Sequence, residues 1–169
     1  RSVTLYNYLG YHLLAPPYHL SQTVVGLIFS VYLVGTFSSA WMGQQATRYG
    51  RGRILSISFA LIGAGIVLLA MPWLSTMALG IALVTFGFFG GHSVASSWVG
   101  ARAGAMRAEA SALYLFAYYL GSSVLGGVGG LAYAAWDWRG VCAFAAMLTL
   151  IGGGIVWALQ QRAPQPVTA

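Results

Sequence analysis

The chain has 169 residues, of which 59% are hydrophobic and 6% charged, and a formal net charge of +6 at pH 7. An ordinary soluble domain carries about 25% charged residues to cover its surface, so lipid rather than water is the main solvent implied here. Every positive charge is an arginine, set singly or in threes between long apolar runs, which argues against a nucleic-acid partner; the lone cysteine, Cys142, argues against an internal disulfide or a metal cluster.

A helix rises about 1.5 Å per residue, so crossing a hydrocarbon core of about 30 Å takes about 20 apolar residues. The first apolar segment, within 1–14, is too short alone. It is read as the end of a span that begins upstream, since the chain opens on Arg1 rather than Met and shows no signal-peptide pattern. Pro16 and Pro17 break it, and Ser21 offers a cap for the next helix. Five further stretches then lack any Asp, Glu, Lys or Arg: 23–43, 54–71, 76–98, 110–135 and 141–159. Between them lie a basic loop over 44–53, a tight turn at Pro72–Ser75, a basic linker over 100–109 and an aromatic hinge over 136–140. Glu109 suits the positive end of the dipole of the helix it precedes. The expectation is an all-α integral membrane protein with a transmembrane bundle over 1–160 and a frayed tail over 161–169.

If the first segment starts in the cytoplasm, Arg1, Arg48, Arg51, Arg53, Arg102, Arg107 and Arg162 lie on the cytoplasmic side, and Arg139 lies opposite. That imbalance predicts cytoplasmic ends for the segment. Trp41, Trp73, Trp98, Trp136 and Trp138 fall near expected span ends, as an aromatic belt requires.

Polar groups inside the spans are the candidate site. Asn7, Tyr8 and Tyr11 cluster on the first segment; His92, Ser93 and Ser96 on the fourth. On the fifth, Tyr114, Tyr118 and Ser122 recur every four residues and so share one helical face. Such a stripe is costly against lipid and suits a substrate path, while Tyr119, about 100° away, should pack on a neighbouring helix. For any single Ser or for His92, a hydrogen bond to a neighbouring helix is the competing reading. Gly87 with Gly91, and Gly126 with Gly130, form G-x-x-x-G faces for close helix packing.

The loop Gly43-Gln44-Gln45-Ala46-Thr47-Arg48-Tyr49-Gly50-Arg51-Gly52-Arg53 resembles the signature of the major facilitator superfamily, G-x-x-x-D-R-x-G-R-R-x. Gly43, Arg48, Gly50 and Arg51 match; Thr47 stands at the acidic position and Gly52 at the second basic one, with Arg53 following. These departures fit the degenerate second copy of that signature, which lies between the eighth and ninth helices, and they remove the acid a charged latch would need. The runs His92–Trp98 and Tyr114–Ser123 resemble bacterial inner-membrane efflux permeases of the arabinose and drug type.

The resemblance implies six transmembrane helices, seven to twelve of twelve, forming one bundle of two inverted three-helix repeats. It further implies a partner N-terminal bundle missing from this chain, with helices seven, eight, ten and eleven lining a shared cavity while nine and twelve face lipid. The activity implied is secondary active, proton-coupled efflux of a small organic solute, sugar or drug-like, across the inner membrane, with no cofactor. The competing reading is a transport-dead membrane module that binds a partner or lipid. An intramembrane protease is disfavoured, since no Gly-x-Ser-Gly turn occurs.

Overall fold

The computed structural model describes residues 2–16 and 18–161, with the side chains of all these except residues 2–4, 6, 7 and 27–29. Arg1, Arg162, the side chain of Asn7 and the tail beyond residue 161 therefore lie outside the described residues. The helices are α1 (Ser2–Leu14), α2 (Gln22–Phe29), α3 (Tyr32–Tyr49), α4 (Arg51–Leu69), α5 (Leu74–Arg102) and α6 (Arg107–Gln161), with a 3₁₀ turn at Gly104–Met106. Each apolar run folds this way because lipid offers its backbone N–H and C=O groups no partners, and a helix satisfies them within the segment.

Among the described residues, three stretches are long and apolar enough to cross a membrane: Arg51–Leu69, Leu74–Arg102 and Gly104–Gln161. The last is far longer than one crossing needs and is broken at Trp136 (φ −141°, ψ 23°) and Asp137 (φ 50°, ψ −147°). It therefore comprises a first arm over 107–135 and a second over 138–161. A positive φ is uncommon away from glycine, and Asp is among the residues that tolerate it.

Three boundaries differ from those expected. The apolar run 23–43 is not one helix: α2 ends at Phe29 and α3 begins at Tyr32. There the amides of Leu33 and Val34 reach the carbonyls three residues back, at 3.0 and 2.9 Å, which tightens the chain into a 3₁₀-type turn. The basic loop over 44–53 is not a loop either, since α3 runs through to Tyr49 and α4 starts at Arg51. The whole reversal rests on Gly50, whose φ of 91° only glycine adopts without strain. Third, the fifth and sixth expected segments are joined by a two-residue break rather than a five-residue hinge.

Packing follows small residues. A Cβ added at Gly65 would lie 2.7 Å from the carbonyl oxygen of Gly80, and one added at Gly80 would lie 2.7 Å from that of Gly65. Further along the same pair of helices, Gly87 faces the Ser58 carbonyl at 2.7 Å and Gly91 faces the Ser58 Cβ at 3.0 Å. Between helices in lipid such close contact replaces the missing hydrophobic drive. On the other side of α5, the Ser38 hydroxyl of α3 donates to the Phe86 carbonyl, and Ser39 donates to that of Phe89 at 3.3 Å. The G-x-x-x-G face at Gly126 and Gly130 behaves differently. Gly130 abuts the Tyr8 hydroxyl, but a Cβ at Gly126 would meet nothing within 4 Å, so no neighbouring helix closes on it among the described residues.

Two apolar cores result. One joins Leu9, Leu13, Leu69, Met77, Ile81, Trp138 and Val141. The other joins Met42, Ala46, Ile54, Leu55 and Val94, at the opposite end of the α4–α5 pair. Trp138 belongs to the first core and not to an interfacial belt: it is buried, and its indole N–H donates to the Leu69 carbonyl at 2.7 Å. His12 stacks on it at 5.0 Å. Trp73 and Trp136 are exposed, as a belt position allows.

The α4–α5 contact yields a stability test. Gly80→Val forces carbonyl against side chain and should cost about 1–3 kcal/mol, seen as a lower unfolding midpoint when sodium dodecyl sulfate is titrated into detergent micelles. Gly126→Ala, with open space beside it, should leave the midpoint unchanged or raise it slightly. Equal losses at both positions would mean that α4 and α5 are not in contact as described.

Candidate functional site

Between the two cores the helices part around a cavity of about 430 Å³. It is lined by α4, α5 and both arms of α6, with Leu5 of α1 at its edge. Tyr114, Tyr118 and Ser122, one turn apart along the first arm, all line it, and so does His92 of α5. The helical period thus does bring the expected stripe to one surface.

The four rings on this side form one cluster. The Tyr114 hydroxyl lies 3.0 Å from His92 Nδ1 and 3.5 Å from the His92 carbonyl oxygen, to which it can also donate. The Tyr118 ring sits 4.7 Å from the imidazole, and Phe88 stacks on the imidazole at 6.0 Å while lying 6.3 Å from Tyr118. The neutral imidazole has one donor and one acceptor nitrogen. If Tyr114 donates to Nδ1, the ring keeps an N–H at Nε2; if Nδ1 donates to Tyr114, Nε2 is left as an acceptor. Either way one ring nitrogen is unspent. The hydroxyls of Tyr118 and Ser122 likewise have no hydrogen-bond partner among the described residues.

The facing wall differs. Phe59, Ile62 and Ile66 of α4 and Ile155 of the second arm are apolar. The two hydroxyls there have protein acceptors for their protons, Ser58 the Ile54 carbonyl at 3.0 Å, with Met42 Sδ at 3.4 Å, and Thr149 the Ala145 carbonyl at 2.8 Å. Among the described residues, no Asp, Glu, Lys or Arg lines the cavity. Its polar capacity is therefore concentrated on the α5 and first-arm side.

The other candidate residues lie elsewhere. Tyr8 ties α1 to the first arm, its hydroxyl 3.4 Å from the Gly126 carbonyl and its ring stacked on Tyr133 at 5.2 Å. Tyr11 is 65% exposed. Ser93 turns toward α3, its hydroxyl 3.9 Å from a Cβ built on Gly43. Neither Ser93 nor Ser96 is among the lining residues: Ser93 is rotated about 100° from His92 around the helix, and Ser96 lies one turn further along α5. Tyr119 is 65% exposed and does not pack into the described helices as expected; its edge meets only Tyr118 at 5.2 Å. Of the basic signature residues, Arg48 lies over the ring of Tyr49 at 5.4 Å, and Arg53 is exposed. Phe88, Phe59 and Thr149 escaped the sequence reading because a phenylalanine or threonine in an apolar span carries no signal of which side it faces.

Comparison with known proteins places these observations. Residues 3–169 match the family described as Major Facilitator Superfamily. The chain is 48% identical over 150 residues to the Bacillus subtilis protein named "Uncharacterized MFS-type transporter YybF", covering 89% of this chain and 37% of that one. It is 46% identical over 149 residues to the Escherichia coli "Inner membrane transport protein YnfM", covering 88% of this chain and 36% of the relative. An "Uncharacterized transporter BU588" of Buchnera aphidicola is 38% identical over 160 residues, covering 95% of this chain and 39% of its own length. The chain thus spans under two fifths of the length of these relatives. No solved structure matches.

Proposed function

This chain belongs to the major facilitator superfamily of membrane transporters, and from that premise we propose that it is one six-helix bundle of a secondary active transporter that moves a small organic solute by alternating access. Its two inverted three-helix repeats would rock against a second bundle. The degenerate signature at Gly43, Arg48, Gly50 and Arg51 supports the C-terminal position in a twelve-helix protein.

The observation that carries the reading is the polar face of Tyr114, Tyr118 and Ser122, joined to His92 and turned into a cavity within otherwise apolar spans. A transporter needs such a face, because groups that can bind a solute are otherwise excluded from lipid depth. Asn7, Tyr8, Tyr11, Ser93 and Ser96 are proposed for the same path. We assign the proton as coupling ion, since imidazole is the side chain whose ordinary titration range lies nearest neutrality and His92 faces the cavity. Efflux across the inner membrane, with both ends of this segment cytoplasmic, rests on the resemblance of the apolar runs and on the arginine count. The name of the Escherichia coli relative, an inner membrane transport protein, supports the location.

Two measurements test this. In the transporter assembled with its second bundle, Tyr118→Ala should raise the KM for the solute or shift selectivity by about threefold to tenfold, the worth of one lost hydrogen bond with its ring contact. Tyr119→Ala should transport normally. The reverse pattern would mean that the other face of α6 meets the solute. For orientation, Thr47→Cys places a thiol at an exposed position beside the Gly50 turn, and the single native cysteine is buried. A membrane-impermeant maleimide should leave it unlabelled in intact cells and label it after lysis. Ready labelling from outside would reverse the topology.

A further inference from the structure

We propose that the cavity takes a neutral aromatic solute with a single polar edge, in preference to a sugar or an ion. The inference rests on the reading of the Tyr114–Ser122 face as solute-contacting, but not on transport. Its back wall comes from α4 and the second arm of α6, the third and sixth expected segments, which the family resemblance placed against lipid.

Size, shape and chemistry converge on the ligand class. Ligand pockets run from about 300 to 1,000 Å³, and a cavity of about 150 Å³ lined by apolar side chains takes up one benzene. At about 430 Å³ this cavity has room for a body of two or three rings. Phe88, His92, Tyr114 and Tyr118 offer ring faces and edges along one wall. The opposite wall is mostly aliphatic and aromatic carbon, and the Ser58 and Thr149 protons are taken up by protein acceptors. The unspent hydrogen-bonding groups, Tyr118 and Ser122 hydroxyls and one His92 nitrogen, all lie on the first wall. A ligand must match that asymmetry with one polar edge against α5 and the first arm and a bare apolar back.

A sugar carries hydroxyls around its whole rim. Those pointing at Ile62, Ile66 and Ile155 would lose their water and gain no partner, which is the costly case for a buried polar group. An ion fares worse, since among the described residues no charged side chain lines the cavity to pair with it.

The test is equilibrium binding to the full chain in lipid nanodiscs, with 2-naphthol, naphthalene and galactose as probes. 2-Naphthol should bind about threefold to tenfold more tightly than naphthalene, the worth of one hydrogen bond, and galactose should not bind. Gly121→Leu should abolish 2-naphthol binding. Gly121 lines the cavity and a Cβ there meets nothing within 4 Å, so the leucine enters open space without disturbing the helix contacts. Tyr118→Phe with Ser122→Ala should bring 2-naphthol down to the level of naphthalene. Galactose binding that Gly121→Leu removes would overturn the solute class. Equal binding of 2-naphthol and naphthalene, unchanged in the hydroxyl variants, would show a cavity filled by acyl chains and overturn the polar edge. 2-Naphthol binding unaffected by Gly121→Leu would put the site elsewhere. A bundle that binds 2-naphthol as described while the assembled protein shows no solute flux would refute the transport reading and leave the binding site standing.

Discussion

The close approach of α4 and α5 at Gly65 and Gly80 sets the geometry of everything around it. Each glycine puts its backbone where the other's side chain would have to be. Two helices that touch backbone to backbone cannot be separated by larger side chains further along the same contact, so Ser58 meets Gly87 and Gly91 in the same line. The gain is dispersion and close packing, the terms available when lipid is as apolar as the helix surface. Once this pair is fixed, the third neighbour, α6, must cover its open side, and it can do so only where its own residues fit.

It does so unevenly, and the unevenness produces the cavity. The second arm is held to α4 at both ends. Near the break, the Trp138 indole reaches the Leu69 carbonyl. At the far end, the Gln160 amide donates to the Gly52 carbonyl at 3.0 Å and lies 2.8 Å from the Ser56 hydroxyl. The first arm has thinner ties: Arg107 to the Gly100 carbonyl at 3.3 Å, the Tyr114–His92 contact, and Tyr8 reaching across from α1. Between these ties its small residues, Gly121, Gly126 and Gly127, have nothing within reach of an added Cβ. Open volume collects where attachment stops.

How much of this the sequence showed depended on whether the signal was periodic or positional. Membrane crossing was legible from composition alone, and the Tyr114–Tyr118–Ser122 surface from a four-residue spacing, because both follow from helix geometry and the cost of polarity in lipid. A basic loop is expected over 44–53, yet the reversal is Gly50 alone, since hydropathy registers polar side chains and not the helical backbone that carries them. Gly126 and Gly130 look alike in sequence and differ in the fold, because a G-x-x-x-G spacing states what a helix could accommodate and not whether a partner comes. Trp138 was assigned to an interface by its position near a span end. Its burial depends on a carbonyl sixty-nine residues earlier, which no local pattern reveals. The opposite wall of the cavity was illegible for the same reason: Phe59, Ile62 and Ile155 become a wall only when α4 and the second arm are set side by side.

The break at Trp136 and Asp137 is what permits one wall to be pinned while the other is loosely held. A straight helix of 55 residues would run about 80 Å at 1.5 Å per residue and could serve α4 and α5 only in one rigid alignment. Folding it back gives two arms that each run antiparallel to a different partner. Gln160 meets the start of α4 and Trp138 its end, while Tyr114 meets His92 in the later part of α5. The positive φ of Asp137 and the close fit of Gly140 against Ala132 and Trp136 fix the fold-back tightly. Trp138 then carries that fixed point into the core through its buried hydrogen bond. The arms thus leave a fixed corner toward different partners, the second held to α4 by Gln160 and the first to α5 at the Tyr114–His92 contact. The polar groups that line the gap sit on the arm held least, so the surface able to meet a solute is also the one whose position its own fold constrains least.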